Sequence, residues 1–466
     1  MFIGREHELR ILQETKTSDR SRLMVVYGRR RVGKTALIEK AFENEVIWKF
    51  EGIEGGTTRE QIRHFLFTLG TYAGLPAIKP AKPVTLWQEA LLLLDKALAN
   101  RSVVVFFDEF QWTASMRNHL VAVFKWAWDN HFSRHASCRF VLCGSISSFI
   151  VKKVLRSKAL YGRIDREIEL KPLSLCETSV FSGSRRTAQE TIDTYLVTGG
   201  IPQYLQEVNS GESLVQNLNR MAFVSQGYFV KEFRRLFISH FGRNKLYERI
   251  LKSLASRHTQ DPKALASSVD AQPGGTFFQL LEDLELAGFI NMYSPLDKKA
   301  HSKLRRARLH DEFLDFYFTF VEPNLASIEE GTFKGFELLT GRAFDQWRGY
   351  AFERLCRKHA YAIAGVLGFS GIRYTSGSWF SRKAAAQIDL LFDRADRVFT
   401  VCEIKYCAAL ASDSAAEIER KTGVLRQLFN RPVQKVLISA RRIEIPSSIS
   451  AVFDHVLFAE DIFFGQ

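Results

Sequence analysis

The chain has 466 residues, 46% hydrophobic and 25% charged, as in an ordinary soluble globular protein with more than one core. A formal charge of +14 and a pI near 9.5 favour a polyanionic partner, nucleic acid above all. Six scattered cysteines without a CxxC pair argue against a disulfide framework or zinc module. No apolar run approaches the roughly 20 residues of a bilayer span and no leader pattern opens the chain, so a cytoplasmic protein is expected.

Leu23-Met24-Val25-Val26-Tyr27 reads as a buried strand, and Ala36-Leu37-Ile38-Glu39-Lys40-Ala41 continues as a helix. Between them lies Gly28-Arg29-Arg30-Arg31-Val32-Gly33-Lys34-Thr35, the strand-loop-helix order of a P-loop. Its backbone N–H groups and the helix N-terminus can surround a di- or triphosphate. Lys34 is expected to reach the outer phosphates and Thr35 to ligate Mg²⁺, with Gly28 to Gly33 and Ala36 completing the ATP-binding segment.

Val103-Val104-Val105-Phe106-Phe107 is a second apolar run, ending in Asp108-Glu109. A buried parallel strand would deliver both acids to its C-terminal edge, where ligands bind in open α/β sheets. Asp108 then serves Mg²⁺ and Glu109 polarises the attacking water. Arg139 to Ser145 reads as the next strand, with Ser145 placed to sense the γ-phosphate. Arg163, in Leu160-Tyr161-Gly162-Arg163, is either a phosphate-sensing or finger arginine or a surface ion-pair residue.

Gly199-Gly200-Ile201-Pro202 forces a turn after the helical stretch Thr191 to Val197. Phe2-Ile3-Gly4-Arg5-Glu6, the P-loop, Asp108-Glu109-Phe110-Gln111, Gly144-Ser145, Tyr161-Gly162-Arg163 and Gly199-Gly200-Ile201-Pro202 follow one another in a fixed order. That series resembles the archaeal-type branch of the AAA-like P-loop ATPases, related to the signal-transducing branch. The resemblance implies that Gly4 and Arg5 lie beside the adenine, that the Gly-Gly-Ile-Pro turn belongs to a helical lid, and that a winged helix-turn-helix follows. It also makes Arg29, Arg30 and Arg31 part of the loop rather than a separate DNA-binding patch.

Leu246, Ile250, Leu251 and Leu254 mark one helix, Pro262 begins a second, and a third runs from about Thr276 to Ala287 before the strand Phe289 to Tyr293. The third helix, where a recognition helix would lie, has acids and no Lys or Arg, a poor face for DNA. The following hairpin carries Lys298, Lys299, Lys303, Arg305, Arg306 and Arg308, so any DNA contact is expected from this wing, to the backbone. A packing module is the alternative. The aromatic run Phe313, Phe316, Tyr317, Phe318 and Phe320 is expected in the core.

In the last third, Asp389 on one extended segment and Glu403-x-Lys405 on the next have the form of the PD-(D/E)xK nuclease signature, and Glu353 matches its helix acid. Period two puts Glu403 and Lys405 on one face. The resemblance implies Mg²⁺ held by Glu353, Asp389 and Glu403, with Lys405 orienting the attacking water. A salt bridge within a sheet would produce the same strand pattern. Gln387 stands where such proteins often have an acid, which puts the rate of such a site in doubt.

The expected architecture is α/β: a P-loop ATPase core with a parallel sheet over 1–175, a helical lid over 176–240, a winged helix-turn-helix over 241–325, and a mixed α/β restriction-endonuclease-like domain over 326–466. ATP and Mg²⁺ are the expected cofactors. Nucleotide state would control DNA binding and Mg²⁺-dependent cleavage. The alternative is a nucleotide-gated signalling switch whose C-terminal domain binds nucleic acid or protein without cutting. A protein partner or homo-oligomer fits either.

Overall fold

The structure is a computed structural model describing all residues except 1, 18, 75–82, 115–118, 146–153, 156–159, 184–185, 242–243, 299–301, 303, 382–385, 407–412 and 466. It divides into two compact units, Met1–Pro172 and Leu173–Gln466.

The first unit is built on five strands: β1 (Arg22–Gly28), β2 (Ile47–Glu51), β3 (Val104–Asp108), β4 (Arg139–Ser145) and β5 (Arg166–Leu170). All pairings are parallel, in the order β2-β3-β4-β1-β5. The central strands are buried along nearly their whole length, because helices cover both faces of a parallel sheet. Trp48, Phe50, Phe65, Trp87, Phe107, Phe124, Phe132 and Phe140 fill one side as a continuous aromatic core. Register brings the functional strand ends to one edge: Gly28 is opposite Ser145, and Glu51 opposite Asp108.

The second unit begins with helices Leu175–Ser182 and Ala188–Thr198, each started by a reciprocal capping box, Ser174 with Glu177 and Thr187 with Glu190. Helices Lys245–Arg257, Pro262–Ser268 and Gly275–Leu286 follow, with a small antiparallel sheet ordered β6 (Thr259–Gln260), β8 (Arg306–Leu309), β7 (Ile290–Tyr293). Phe313, Phe316, Tyr317, Phe318 and Phe320 are buried, as their composition requires.

Helix Arg342–Lys358 then leads into β9 (Tyr374–Ser381), β10 (Ala386–Arg394) and β11 (Phe399–Lys405), an antiparallel meander. After helix Asp413–Phe429, β12 (Val433–Ser439) pairs parallel to β11, and β13 (His455–Phe458) parallel to β12. The sheet order is β13-β12-β11-β10-β9. β11 is buried at every residue except Lys405, so its residues alternate between two covered faces rather than between core and solvent. Asp389 lies in a register irregularity of β10 between Ile388 and Leu391, the kind of local kink that re-aims a side chain.

Candidate functional site

The loop after β1 ends at Gly33, in the left-handed region at φ 90°, and helix Lys34–Ala41 starts at the next residue. A Cβ on Gly28 would stand 2.4 Å from the Leu170 carbonyl oxygen, so β5 fits beside the loop only because that position lacks a side chain. Lys34 Nζ donates to the Gly28 and Arg29 carbonyls at 3.2 and 3.1 Å, folded back over the loop it is expected to cross toward phosphate. Arg29 is buried, the Arg30 guanidinium lies over the Trp112 ring, and Arg31 takes a left-handed backbone at φ 73°. Ala36 is exposed in the first helical turn. Gly4 precedes Arg5, whose Nη2 donates to the Val32 carbonyl at 3.4 Å, so the N-terminal segment touches the loop.

Thr35 Oγ1 donates to Asp108 Oδ2 at 2.9 Å. Two hard oxygen donors from separate elements meet beside a helix N-terminus, a donor set that fits Mg²⁺ with phosphate oxygens completing it. The next residue, Glu109, has a left-handed backbone at φ 48°, a strained conformation of a kind that concentrates at functional sites. Its Oε2 accepts from Gln111 Nε2 and, at 3.4 Å, from Ser145 Oγ at the end of β4. Asp108, Glu109, Ser145, Lys34 and Thr35 therefore share one edge, because β4 inserts between the P-loop strand and the acid-bearing strand. Cys143 lies beside Asp108, and burial pushes its thiol well above the ordinary range.

Residues 2–208 match a family model described as an ATPase domain predominantly from Archaea. Residues 317–418 match a second family model, described as archaeal and bacterial proteins of unknown function. An uncharacterised protein of Methanocaldococcus jannaschii is 27% identical over 399 residues, 84% of each chain. An uncharacterised ATP-binding protein of the same organism is 47% identical over 47 residues, 10% of this chain and 80% of that one. Among solved structures, the Walker-type ATPase of Pyrococcus abyssi aligns with a TM-score of 0.50 at 19% identity, covering 68% of this chain and 96% of that chain. That likeness is one of fold.

Two further charged residues of the first unit have partners there. Arg163 donates to both carboxylate oxygens of Asp129, at 2.6 and 2.9 Å, a contact that fits the surface ion-pair alternative. Lys49 of β2, which no local motif marks, reaches Asp108 Oδ2 at 3.1 Å. Burial works against its ammonium, but Asp108, with Glu51 and Glu39 behind it, outweighs burial and raises its pKa.

The basic hairpin makes contacts within the chain. Arg306 stacks on Phe380 of β9 at 3.6 Å, and Leu296 N–H donates to the Ser378 carbonyl. Arg308 Nη1 donates to Ser378 Oγ at 2.9 Å, Nη2 to Asn291 Oδ1 at 3.2 Å, and the guanidinium lies 4.1 Å from the Tyr293 ring centre. Arg305 pairs with Glu285 at 3.1 Å and Lys298 with Asp297 at 2.7 Å. Lys299 and Lys303 fall outside the described residues. Arg305, Arg306 and Arg308, expected to contact a nucleic-acid backbone, thus each have a partner within the chain: a carboxylate for Arg305, a ring for Arg306, and a hydroxyl, an amide oxygen and a ring for Arg308.

Arg308 lines a pocket of about 100 Å³ together with Glu353, Asp389, Arg357, Ser378 and Gln387. Gln387 Nε2 donates to Asp389 Oδ1 at 2.9 Å, and Arg357 Nη1 to Glu353 Oε2 at 3.3 Å. Burial and the neighbouring Asp389 push the Glu353 carboxyl up to about 7. Burial, then Arg357, pull the Arg308 guanidinium down.

Glu403 is held differently: Oε1 meets Lys405 Nζ at 2.8 Å and Oε2 meets Lys421 Nζ at 2.9 Å. Lys421, from helix Asp413–Phe429, also pairs with Glu417 at 3.0 Å. Among the described residues no three His, Cys, Asp or Glu side chains group to hold a metal ion. Of the three carboxylates expected to hold Mg²⁺, Glu353 and Asp389 line one pocket, while Glu403 is held by Lys405 and Lys421. No helix among the described residues is long and apolar enough to cross a membrane.

Proposed function

We propose that this chain is an ATP-binding, ATP-hydrolysing switch in which nucleotide state is passed through the helices after the P-loop core to the C-terminal domain. Lys34 and the loop would hold the phosphates, Thr35 and Asp108 would hold Mg²⁺, and Glu109 would polarise water with its carboxylate oriented by Gln111 and Ser145. Bound Mg²⁺ would supply charge neutralisation at the phosphates.

One observation carries the transmission step. The ATPase family match runs to residue 208, whereas the first compact unit ends at Pro172, so the domain's last helices are built into the second unit. There, Gly199 packs on Glu312, which pairs with Lys358 at 2.6 Å on the helix that carries Glu353. The end of that ATPase domain is thereby tied to the pocket-bearing helix by buried charges.

The C-terminal domain would engage nucleic acid or a protein partner, consistent with the chain's net charge of +14. The closed basic hairpin and the lysine-bound Glu403 favour engagement without cutting. Cleavage is the second reading. It is supported by the order helix, three antiparallel strands, helix, parallel strand, and by Glu353 and Asp389 sharing one pocket.

Hydrogen exchange on the full chain with and without Mg²⁺-ATP tests the switch. The expected result is altered protection across β11 and helix Asp413–Phe429 in the wild type and none in Lys34→Ala. Nucleotide binding that leaves those segments unchanged would refute transmission. Incubating DNA and RNA with Mg²⁺, ATP and either wild type or Asp389→Ala separates the two readings, because only a cutting domain distinguishes them.

A further inference from the structure

We propose that Lys49 is a positioning residue of the nucleotide site: it holds the Asp108 carboxylate in the metal-free chain and yields it when Mg²⁺-nucleotide binds. Its role rests on the Mg²⁺-nucleotide reading of Thr35 and Asp108 given above.

Asp108 is buried to 4% exposure at the end of β3. A buried carboxylate without a counter-charge is costly, and the Lys34 ammonium donates to two loop carbonyls rather than to Asp108. Lys49 Nζ contacts the same oxygen, Oδ2, that accepts from Thr35. The ammonium thus stands against the very oxygen that a cation bound by Thr35 and Asp108 would use. A divalent ion and an ammonium cannot share that oxygen without strong repulsion.

The geometry also gives Lys49 somewhere to go. Its Nζ is 4.0 Å from Glu39 Oε1, on the helix that the P-loop starts, and Glu39 is more than half exposed. The Lys49 ammonium also lies over the Phe106 ring, 5.6 Å from its centre. A short rotation of the side chain trades a buried partner for an exposed one without leaving the site uncovered. Lys49 therefore competes with Mg²⁺ for Asp108, and its removal should tighten Mg²⁺ binding while weakening the nucleotide-free protein.

The test is a Mg²⁺ titration of full-length protein with a fluorescent ADP analogue, comparing wild type, Lys49→Met, Lys49→Gln and Lys49→Arg, each also in an Asp108→Asn background. The half-saturating Mg²⁺ concentration should fall about three- to tenfold in Lys49→Met and Lys49→Gln. It should stay near wild type in Lys49→Arg, and the difference should vanish when Asp108 is neutral. Thermal melts without nucleotide should show the neutral variants less stable. An unchanged or raised Mg²⁺ requirement in both neutral variants overturns the proposal. If instead wild type binds the analogue no better than Lys34→Ala, the nucleotide-site reading itself fails, and Lys49's role with it.

Discussion

Tyr406 donates its hydroxyl to Asp193 Oδ1 at 2.6 Å, joining the residue that follows β11 to helix Ala188–Thr198, which lies within the stretch matched by the ATPase-domain model. Asp193 also accepts from Gln189 and faces Arg348 at 3.6 Å, while Arg441 donates to the Tyr406 oxygen. Burial raises the Asp193 carboxyl, and the Tyr406 bond is the first of the contacts that oppose it. Tyr406→Phe should therefore lower stability by about 1.5–3 kcal/mol, the range for a hydrogen bond to a charged group. The same variant should lose the nucleotide-dependent protection of β11 while still binding ATP. Denaturant melts and hydrogen exchange check the two effects separately; intact transmission in a destabilised variant would make this contact a structural one only.

Gly199 supplies a second connection. At φ 60° it is in the left-handed region, and an added Cβ would stand 2.5 Å from Glu312 Oε2. Gly74 has a similar φ of 67°, but an added Cβ there would meet nothing within 4 Å among the described residues. Gly74→Ala should cost about 1 kcal/mol from backbone conformation alone. Gly199→Ala should cost about 2–4 kcal/mol, because Glu312 must also shift from Lys358 and Arg354. Urea unfolding of the two variants measures the difference; equal losses would mean Glu312 gives way freely.

The grouping of Lys34, Thr35, Asp108, Glu109 and Ser145 was legible because its signals are local: a loop between strand and helix, acids closing an apolar run, and a small polar residue closing the next. Strand order then brings those ends together. Lys49 was not legible for the complementary reason. Nothing in Ile47-Trp48-Lys49-Phe50-Glu51 says that this strand lies next to β3, and only that pairing places the lysine at Asp108. The partners of the hairpin arginines were not legible, because charge in a sequence carries no record of its partner. Phe380 and Ser378, which hold Arg306 and Arg308, lie about 70 residues away. Glu403-x-Lys405 suited either a metal site or a salt bridge, and Lys421, a helix later, completes the bridge.

Arg308 should prove a packing residue. Its replacement by alanine removes a guanidinium from Ser378, Asn291 and Tyr293 and leaves Glu353 and Asp389 with less counter-charge. The expected loss is about 2–4 kcal/mol. Lys at this position should recover only part of that, since an ammonium cannot make the forked contacts. Duplex DNA affinity and its salt dependence should change little. A large drop in affinity with unaltered unfolding would instead identify Arg308 as a phosphate contact.

Glu353 gives the protein a pH signature. Its carboxyl is pushed up to about 7 in the folded chain, from an ordinary 4.5, by burial and then by Asp389, with Arg357 and its hydrogen bond opposing and Glu403 adding to the rise. Between those two values the folded chain keeps the proton and the unfolded chain has released it. Stability from this group therefore falls as pH rises through that window, and levels off above about 7. Glu353→Gln removes the titration while keeping the shape. The variant and wild type should be closely matched near pH 4.5, with the variant gaining steadily until it is more stable by up to about 3 kcal/mol above pH 7. Chemical denaturation at a series of pH values, without added metal, measures the gap. Parallel curves for the two proteins would show that the folded pocket accommodates the ionised carboxylate at no cost.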